Sequence, residues 1–354
     1  MVAASPLYNM DISIIGASGN IGREIALGVI RGKILGKSEN LQLVGRKSPQ
    51  SEKAMLGLSI DIADAYAETM PSIEIVTTPE EVRGDVIIIV GGVSLSSNKS
   101  TNRDDLAKQN SEIFRSYAEQ IAKNSKNAIV IIITNPVELG VHVFCEYLPR
   151  NQVLGMGAYL DTLRFQNQIA YEFNVKRGSV HGLVLGEHGT GIVPIWSSVK
   201  IYGLKEDYSK KRIAALVMKR HKDNLQRHLS RICDLIGEGQ IEKFYKSFYK
   251  FGPDSRVFLG PLISNFTGAK TIAGAAGATM RLLRTIASSN IDLVACQVKL
   301  EGEFLGIHGV IGAPVFVCNN GIFKVENMKN LWESEKKELI AVSETINEKI
   351  DRWT

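Results

Sequence analysis

Apolar residues fall along this chain in short runs separated by breakers. DISIIG (Asp11 to Gly16), LQLVG (Leu41 to Gly45), IEIVTT (Ile73 to Thr78), DVIIIVGG (Asp85 to Gly92) and NAIVIIITNP (Asn127 to Pro136) are bounded by Gly, Pro, Asn or charged residues. Runs of this length with such flanks predict strands. The last two lack polar alternation, which suits strands buried on both faces. Helical stretches lie between the runs, the first from about Arg23 to Lys33. Strand, helix, strand order predicts a parallel sheet with right-handed crossovers. QVLGMG (Gln152 to Gly157) closes that sheet, and a helix follows from about Tyr159 to Phe173.

Beyond this point strand-like runs and helices mix. VHGLVLGEHG (Val180 to Gly189) predicts a strand ending in a loop, and Ala275 to Ser288 an Ala-rich helix. The tail from about Asn330 to Trp353 carries Leu339, Val342, Ile346 and Ile350 at helical spacing, one apolar face amid charges. The expected architecture is α/β, with a doubly wound parallel sheet over residues 8–157 and a mixed α+β domain over 158–354. The stretch from Gly237 to Thr267 gathers Phe244, Tyr245, Phe248, Tyr249 and Phe251. These aromatics cover a pocket, join a subunit interface or, as the preferred expectation, form the core of an added hairpin.

Composition narrows the function classes. The 354 residues are 44% hydrophobic, enough for a large core, and length alone suggests about two domains. The net charge of +5 is spread out, with no dense basic stripe interleaved with aromatics, so no nucleic-acid partner is expected. Cys145, Cys233, Cys296 and Cys318 are far apart without a CxxC, so neither a metal site nor a disulfide framework is expected. The opening MVAASPLYNM holds no Lys, no Arg and no apolar run of signal-peptide length. No run approaches the ~18 apolar residues of a membrane span. A cytoplasmic protein without a membrane partner is the expectation.

Candidate chemistry begins after the first strand. Gly16-Ala-Ser18-Gly19-Asn20-Ile21-Gly22 ends that strand and opens a helix. Its glycines permit a tight turn and close approach to a pyrophosphate, and the helix end offers free N–H groups. The spacing is GxxGxxG, with Ala17 where the GxGxxG template has its first Gly. The bland alternative is a strand-to-helix turn with small residues for packing. Folds that bind NAD usually end the second strand with Asp or Glu for the ribose. Here it ends Val44-Gly45-Arg46-Lys47-Ser48. Arg46 suits a 2′-phosphate bidentately, Lys47 adds charge and Ser48 a hydroxyl. NADP is therefore expected over NAD, unless Arg46 and Lys47 are solvated loop charges and either cofactor binds.

Asp161 and Arg164 lie three apart in YLDTLRF, on one face of a predicted helix, and His188 ends a buried strand in Gly186-Glu187-His188-Gly189. Singly, each has an ordinary reading: a helix cap, a surface ion pair, a loop histidine. Together, LDTLRF, GEHG and the earlier TNPV and RDDL resemble the lactate/malate dehydrogenase family over nearly the whole chain. GASGNIG looks like the malate branch, and the basic end of the second strand is similar to NADP-using, malate dehydrogenase-like members.

The resemblance implies a Rossmann domain followed by a substrate domain, and hydride transfer between a nicotinamide dinucleotide and a small 2-hydroxy acid. His188 would exchange the proton, and Asp161 would hold its other ring nitrogen. Arg164 would clamp the substrate carboxylate, and Arg103 would polarise the carbonyl from a mobile loop. Asn135 would contact cofactor and substrate, and its bond to Pro136 is open to cis or trans. Gly91, Asn110 and Thr134 would line the cofactor, and Thr271 the pocket wall. Homodimers or homotetramers are implied as well.

The resemblance breaks in the loop before Arg103. Malate enzymes of the family usually read close to GVPRKPGMTRDDL, whose first arginine meets the second carboxylate. Here Gly92 to Leu106 reads GVSLSSNKSTNRDDL, longer and without that arginine or a lactate-type glutamine. Lys99 is the only cation in this loop before Arg103. It pairs with a distal carboxylate or is a solvated charge. Thr190-Gly191 also stands where the family often has Asp-Ser, and the stretch from His188 to Thr271 is longer than the family's. Malate/oxaloacetate remains the first expectation, with lactate or another 2-hydroxy acid as the alternative. An NAD-dependent glycosidase would need metal-ligand Cys and His beside GEHG, and none is visible. A non-catalytic dinucleotide sensor would not need His188, Asp161, Arg164 and Arg103 together.

Overall fold

A computed structural model describes residues 10–92, 103–220 and 225–354. The chain begins β1 (Ile12–Ile15), α1 (Asn20–Arg31), β2 (Asn40–Val44), α2 (Pro49–Tyr66), β3 (Ser72–Val76) and β4 (Val86–Ile89). It continues α3 (Arg103–Asn124), β5 (Ile129–Ile132), α4 (Val137–Phe144), β6 (Val153–Gly155) and α5 (Gly157–Phe173). Every residue of β1, β4 and β5 is buried, as their unbroken apolar runs require. These strands pair in parallel in the order β3-β2-β1-β4-β5-β6. That is the Rossmann order, and it reverses direction between β1 and β4. The reversal leaves a crevice beyond the carboxyl ends of those two strands, where the Gly16 loop and Gly91 stand.

The second half runs β7 (Val180–Gly186), β8 (Ile192–Ile201), α6 (Glu206–Arg220), α7 (Leu225–Gly237), α8 (Ile241–Phe248) and α9 (Pro253–Phe266). It ends with α10 (Ile272–Ile286), β9 (Asp292–Glu301), β10 (His308–Cys318), β11 (Gly321–Val325) and α11 (Glu333–Trp353). β6 meets β9 antiparallel at Gly155 and Gln297, so one sheet continues through β9-β10-β7-β8, with β11 beside β10. This join brings β7, the strand before His188, into the sheet whose parallel half makes the crevice. Leu339, Ile346 and Ile350 of α11 are buried and Val342 is partly buried, matching the predicted apolar face. No helix among the described residues is long and apolar enough to cross a membrane.

Two expectations shift. α1 starts at Asn20 rather than Arg23, because the helix begins directly after Gly19. The aromatic segment is helical and does not form one hairpin: α8 packs on α7, and α9 packs on α7 and α5. Phe248 and Phe251 join Ile232 of α7 and Leu259 of α9 in a small separate core, with Phe244 and Tyr249 packed against it. Arg256 of α9 ties this core to α5. It is 1% exposed, its Nη2 lies 3.1 Å from Glu172 Oε2, and its guanidinium sits 5.4 Å from the ring centres of both Tyr171 and Tyr249. A charge this buried persists only when paired, so the aromatic segment is anchored to the helix that carries Asp161 and Arg164.

Candidate active site

The crevice loop is built for backbone approach. Gly16 has φ +94°, and a Cβ there would stand 2.5 Å from the Gly91 nitrogen. A Cβ on Gly22 would stand 2.3 Å from the Gly16 oxygen. Only glycine fits both places. No acidic side chain occupies the first turn of α1, so its free N–H groups at Asn20, Ile21 and Gly22 offer a field that favours an anion. Ser18 accepts from the Ser51 hydroxyl at 3.0 Å, which joins the loop to α2. Gly45 packs against Ser51 and Met55, while Arg46 and Lys47 are exposed and in no ion pair among the described residues. Ser48 caps α2, its hydroxyl oxygen accepting from Ser51 N–H at 3.4 Å. These residues fit a dinucleotide, with its pyrophosphate at α1 and a ribose beside β2.

His188, Asp161 and Arg164 come together at the same edge of the sheet. Asp161 is 3% exposed. Its Oδ2 lies 2.7 Å from His188 Nδ1, and its Oδ1 accepts from Arg164 Nη1 at 2.9 Å. Thr162 locks the two supports together, since Val184 N–H of β7 donates to its hydroxyl at 2.9 Å. Burial raises the Asp161 carboxyl, but the imidazole and the guanidinium outweigh it and hold it below its ordinary value. Burial lowers the His188 ring, but Asp161, by charge and hydrogen bond, and then Glu138 by charge carry it above its ordinary value. With Nδ1 on Asp161, Nε2 is left to exchange a proton.

Comparison with known proteins accounts for this arrangement. Residues 10–155 match the family model described as lactate/malate dehydrogenase, NAD binding domain. Residues 158–227 match lactate/malate dehydrogenase, alpha/beta C-terminal domain. A malate dehydrogenase of Methanothermobacter thermautotrophicus is 31% identical over 320 residues, 88% of each chain.

The chain belongs to the lactate/malate dehydrogenase family.

An L-2-hydroxycarboxylate dehydrogenase (NAD(P)(+)) of Methanocaldococcus jannaschii is 32% identical over 344 residues, 94% of each chain. The crystal structure of Cryptosporidium parvum malate dehydrogenase is 25% identical, with a TM-score of 0.73 over 97% of this chain and 98% of that one. This family member is thus a malate dehydrogenase-like enzyme that uses a nicotinamide dinucleotide and a 2-hydroxy acid.

The remaining expected site residues divide into three groups. Thr134 is buried, its hydroxyl donating to the Gly91 oxygen at 3.0 Å, and Asn110 Nδ2 donates to the Asn135 oxygen at 2.9 Å. Asn135 is exposed after β5, and its bond to Pro136 is cis. These residues form one connected wall at the carboxyl ends of β4 and β5. Thr271 precedes α10 in left-handed backbone, and its N–H donates to Ser264 Oγ at 3.1 Å. No hydrogen bond joins it to the trio among the described residues. Arg103 begins α3, but its side chain lies outside what is described, as does Lys99.

Three features escaped the sequence. Glu138 Oε1 accepts from His188 N–H at 2.7 Å. Glu187 and Asp104, the neighbours of His188 and Arg103, are held by Lys349 and Trp353 of α11. Gly157, the first residue of α5, lies against the His188 ring, and a Cβ there would stand 2.5 Å from His188 Cγ. Gly157→Ala should therefore push the imidazole off Asp161 and lower kcat about 10²-fold, the scale of a 1 Å misplacement. The same overpacking should cost about 1–3 kcal/mol of stability, so the unfolding midpoint should fall as well. Wild-type turnover in this variant would show that the ring tolerates displacement.

Proposed function

We propose that the chain is an NADP-preferring dehydrogenase that interconverts malate and oxaloacetate as a homodimer or homotetramer. The observation that carries the reaction type is the Asp161–His188–Arg164 constellation at the edge of the dinucleotide crevice. The reduced cofactor, when bound, supplies a hydride. The protein's own residues bind, orient and move a proton. Asp161 fixes the ring so that Nε2 faces the substrate oxygen, and the raised ring pKa keeps a proton there for reduction. Arg164 has one nitrogen on Asp161, and its remaining N–H groups have no protein partner among the described residues. They are suited to a substrate carboxylate. On this reading Arg103 would meet the carbonyl and Lys99 the distal carboxylate, both with side chains outside the described residues. Residues 8–157 would hold the dinucleotide and 158–354 the acid.

The preference for NADP rests on Arg46 and Lys47, exposed at the end of β2 with no acidic partner among the described residues. A charge-assisted hydrogen bond contributes about 1.5–3 kcal/mol, or roughly 10–100-fold. Arg46→Ala should lower the ratio of kcat/KM for NADPH over NADH by that factor. A wild-type ratio at or below one would refute the preference. Oxaloacetate, pyruvate and branched 2-oxoacids, followed by loss of NADPH absorbance, would test the substrate. Faster turnover of pyruvate would replace malate with lactate. No turnover of any 2-oxoacid would favour a dinucleotide sensor.

A further inference from the structure

Glu138 is a buried acid that the reaction as described does not use. It lies in the first turn of α4, just past the Thr134-Asn135-Pro136-Val137 turn, and is 4% exposed. Its carboxyl reaches fifty residues along the chain to accept the His188 backbone N–H at 2.7 Å. A buried carboxyl without a cation normally loses its charge or is replaced by an apolar group. Burial does push this one up to about 7, with the His188 N–H and the imidazole opposing the rise. Glu187 faces it with like charge, itself paired with Lys349 of α11. Other charged groups near α4 are Glu146 at its end, Arg115 of α3, Lys299 of β9 and Asp351 of α11. These act on His142, one turn farther along.

An acceptor for one N–H needs no charge, and an amide would serve. A carboxylate does something more at this position. Held on the His188 backbone N–H, it adds a second attraction for the imidazolium beside that of Asp161. We propose that Glu138 is a positioning residue for the proton-transferring histidine, holding the His188 backbone by hydrogen bond and the ring proton by charge. The proposal rests on His188 being the group that exchanges the proton.

The sign follows from the charge. In Glu138→Gln the acceptor and the shape remain, while the charge that Glu138 carries as pH rises through about 7 is lost. The imidazole should then release its proton at lower pH, by about half a unit to one unit, the size of a nearby-charge effect. Reduction needs the protonated ring, so its kcat/KM should fall earlier as pH rises. On the alkaline side the deficit should be roughly threefold to tenfold. Oxidation needs the neutral ring, so its acid limb should move in the same direction. Glu138→Asp retains the charge and should restore the wild-type pH midpoint, at reduced kcat because the shorter side chain loosens the N–H bond.

The experiment is NMR titration of the His188 imidazole in the full-length protein, wild type and both variants, beside the pH profile of oxaloacetate reduction. A lowered imidazole pKa and shifted profile in Glu138→Gln, reversed in Glu138→Asp, support the proposal. An unchanged pKa and superimposed profiles in a folded Glu138→Gln overturn it. The underlying assignment is separated by His188→Asn. If that variant still reduces oxoacids, the proton-transfer reading fails, whatever Glu138 does to the ring.

Discussion

Replacing His188 by Asn should lower kcat for oxoacid reduction by about 10²–10⁴-fold, the span of general acid contributions, and leave dinucleotide affinity within about twofold of wild type. Asn is the informative choice. Its amide can still donate toward Asp161 Oδ2, the partner that the imidazole holds at 2.7 Å. Asp161 also keeps Arg164 at 2.9 Å, so the buried carboxylate is not stranded. What disappears is a group whose charge changes near working pH. The crevice residues Gly16 to Gly22 and Arg46 are on other elements, so cofactor titration reports separately from turnover. In the parent enzyme, reduction should be fastest on the acid side and fall as pH rises through the raised His188 pKa. Oxidation should rise over the same window. A His188→Asn enzyme with near-parental reduction would remove the ring from the reaction.

Much of this arrangement is legible without coordinates, for a physical reason. Strands buried on both faces must be apolar throughout, so β4 and β5 stand out as unbroken runs. Gly16 and Gly22 stand out because backbone packs on backbone there. Asp161 and Arg164 share a helix face, and their spacing is visible locally. Glu138 is different. An acid in the first turn of a helix has a sufficient local explanation in the helix dipole, so nothing in the sequence points to an N–H fifty residues away. Gly157 likewise reads as a strand-end glycine, and only the folded chain brings the His188 ring against it. β9 and β10 go unassigned in sequence because the mixed second half offers no strand–helix alternation to read against. The aromatic segment offers only its composition, and composition does not show that Phe248 and Phe251 meet Ile232 of α7 and Leu259 of α9 in a small helical core.

Arg164→Lys is the second large effect, and it tests whether one side chain serves two partners. The guanidinium meets Asp161 through Nη1, and its other N–H groups have no protein partner among the described residues. A planar fork can hold Asp161 with one edge and a substrate carboxylate with another, whereas an ammonium group is a single point charge. Lysine must therefore choose. If it stays with Asp161, the substrate loses a charge-assisted pair and KM rises. If it turns to the substrate, Asp161 loses one of the attractions that keep its carboxyl low, and its hold on the His188 proton weakens. Either choice also loosens the orientation of the reacting carbon. The expected result is a higher KM and a lower kcat together, with kcat/KM for the oxoacid reduced about 10²–10³-fold. That is the loss of one charged hydrogen bond, at about 1.5–3 kcal/mol, compounded with misplacement. KM for the dinucleotide should not change. Unchanged oxoacid kinetics would mean that Arg164 serves Asp161 alone. The substrate carboxylate would then have to be held from the loop that ends at Arg103.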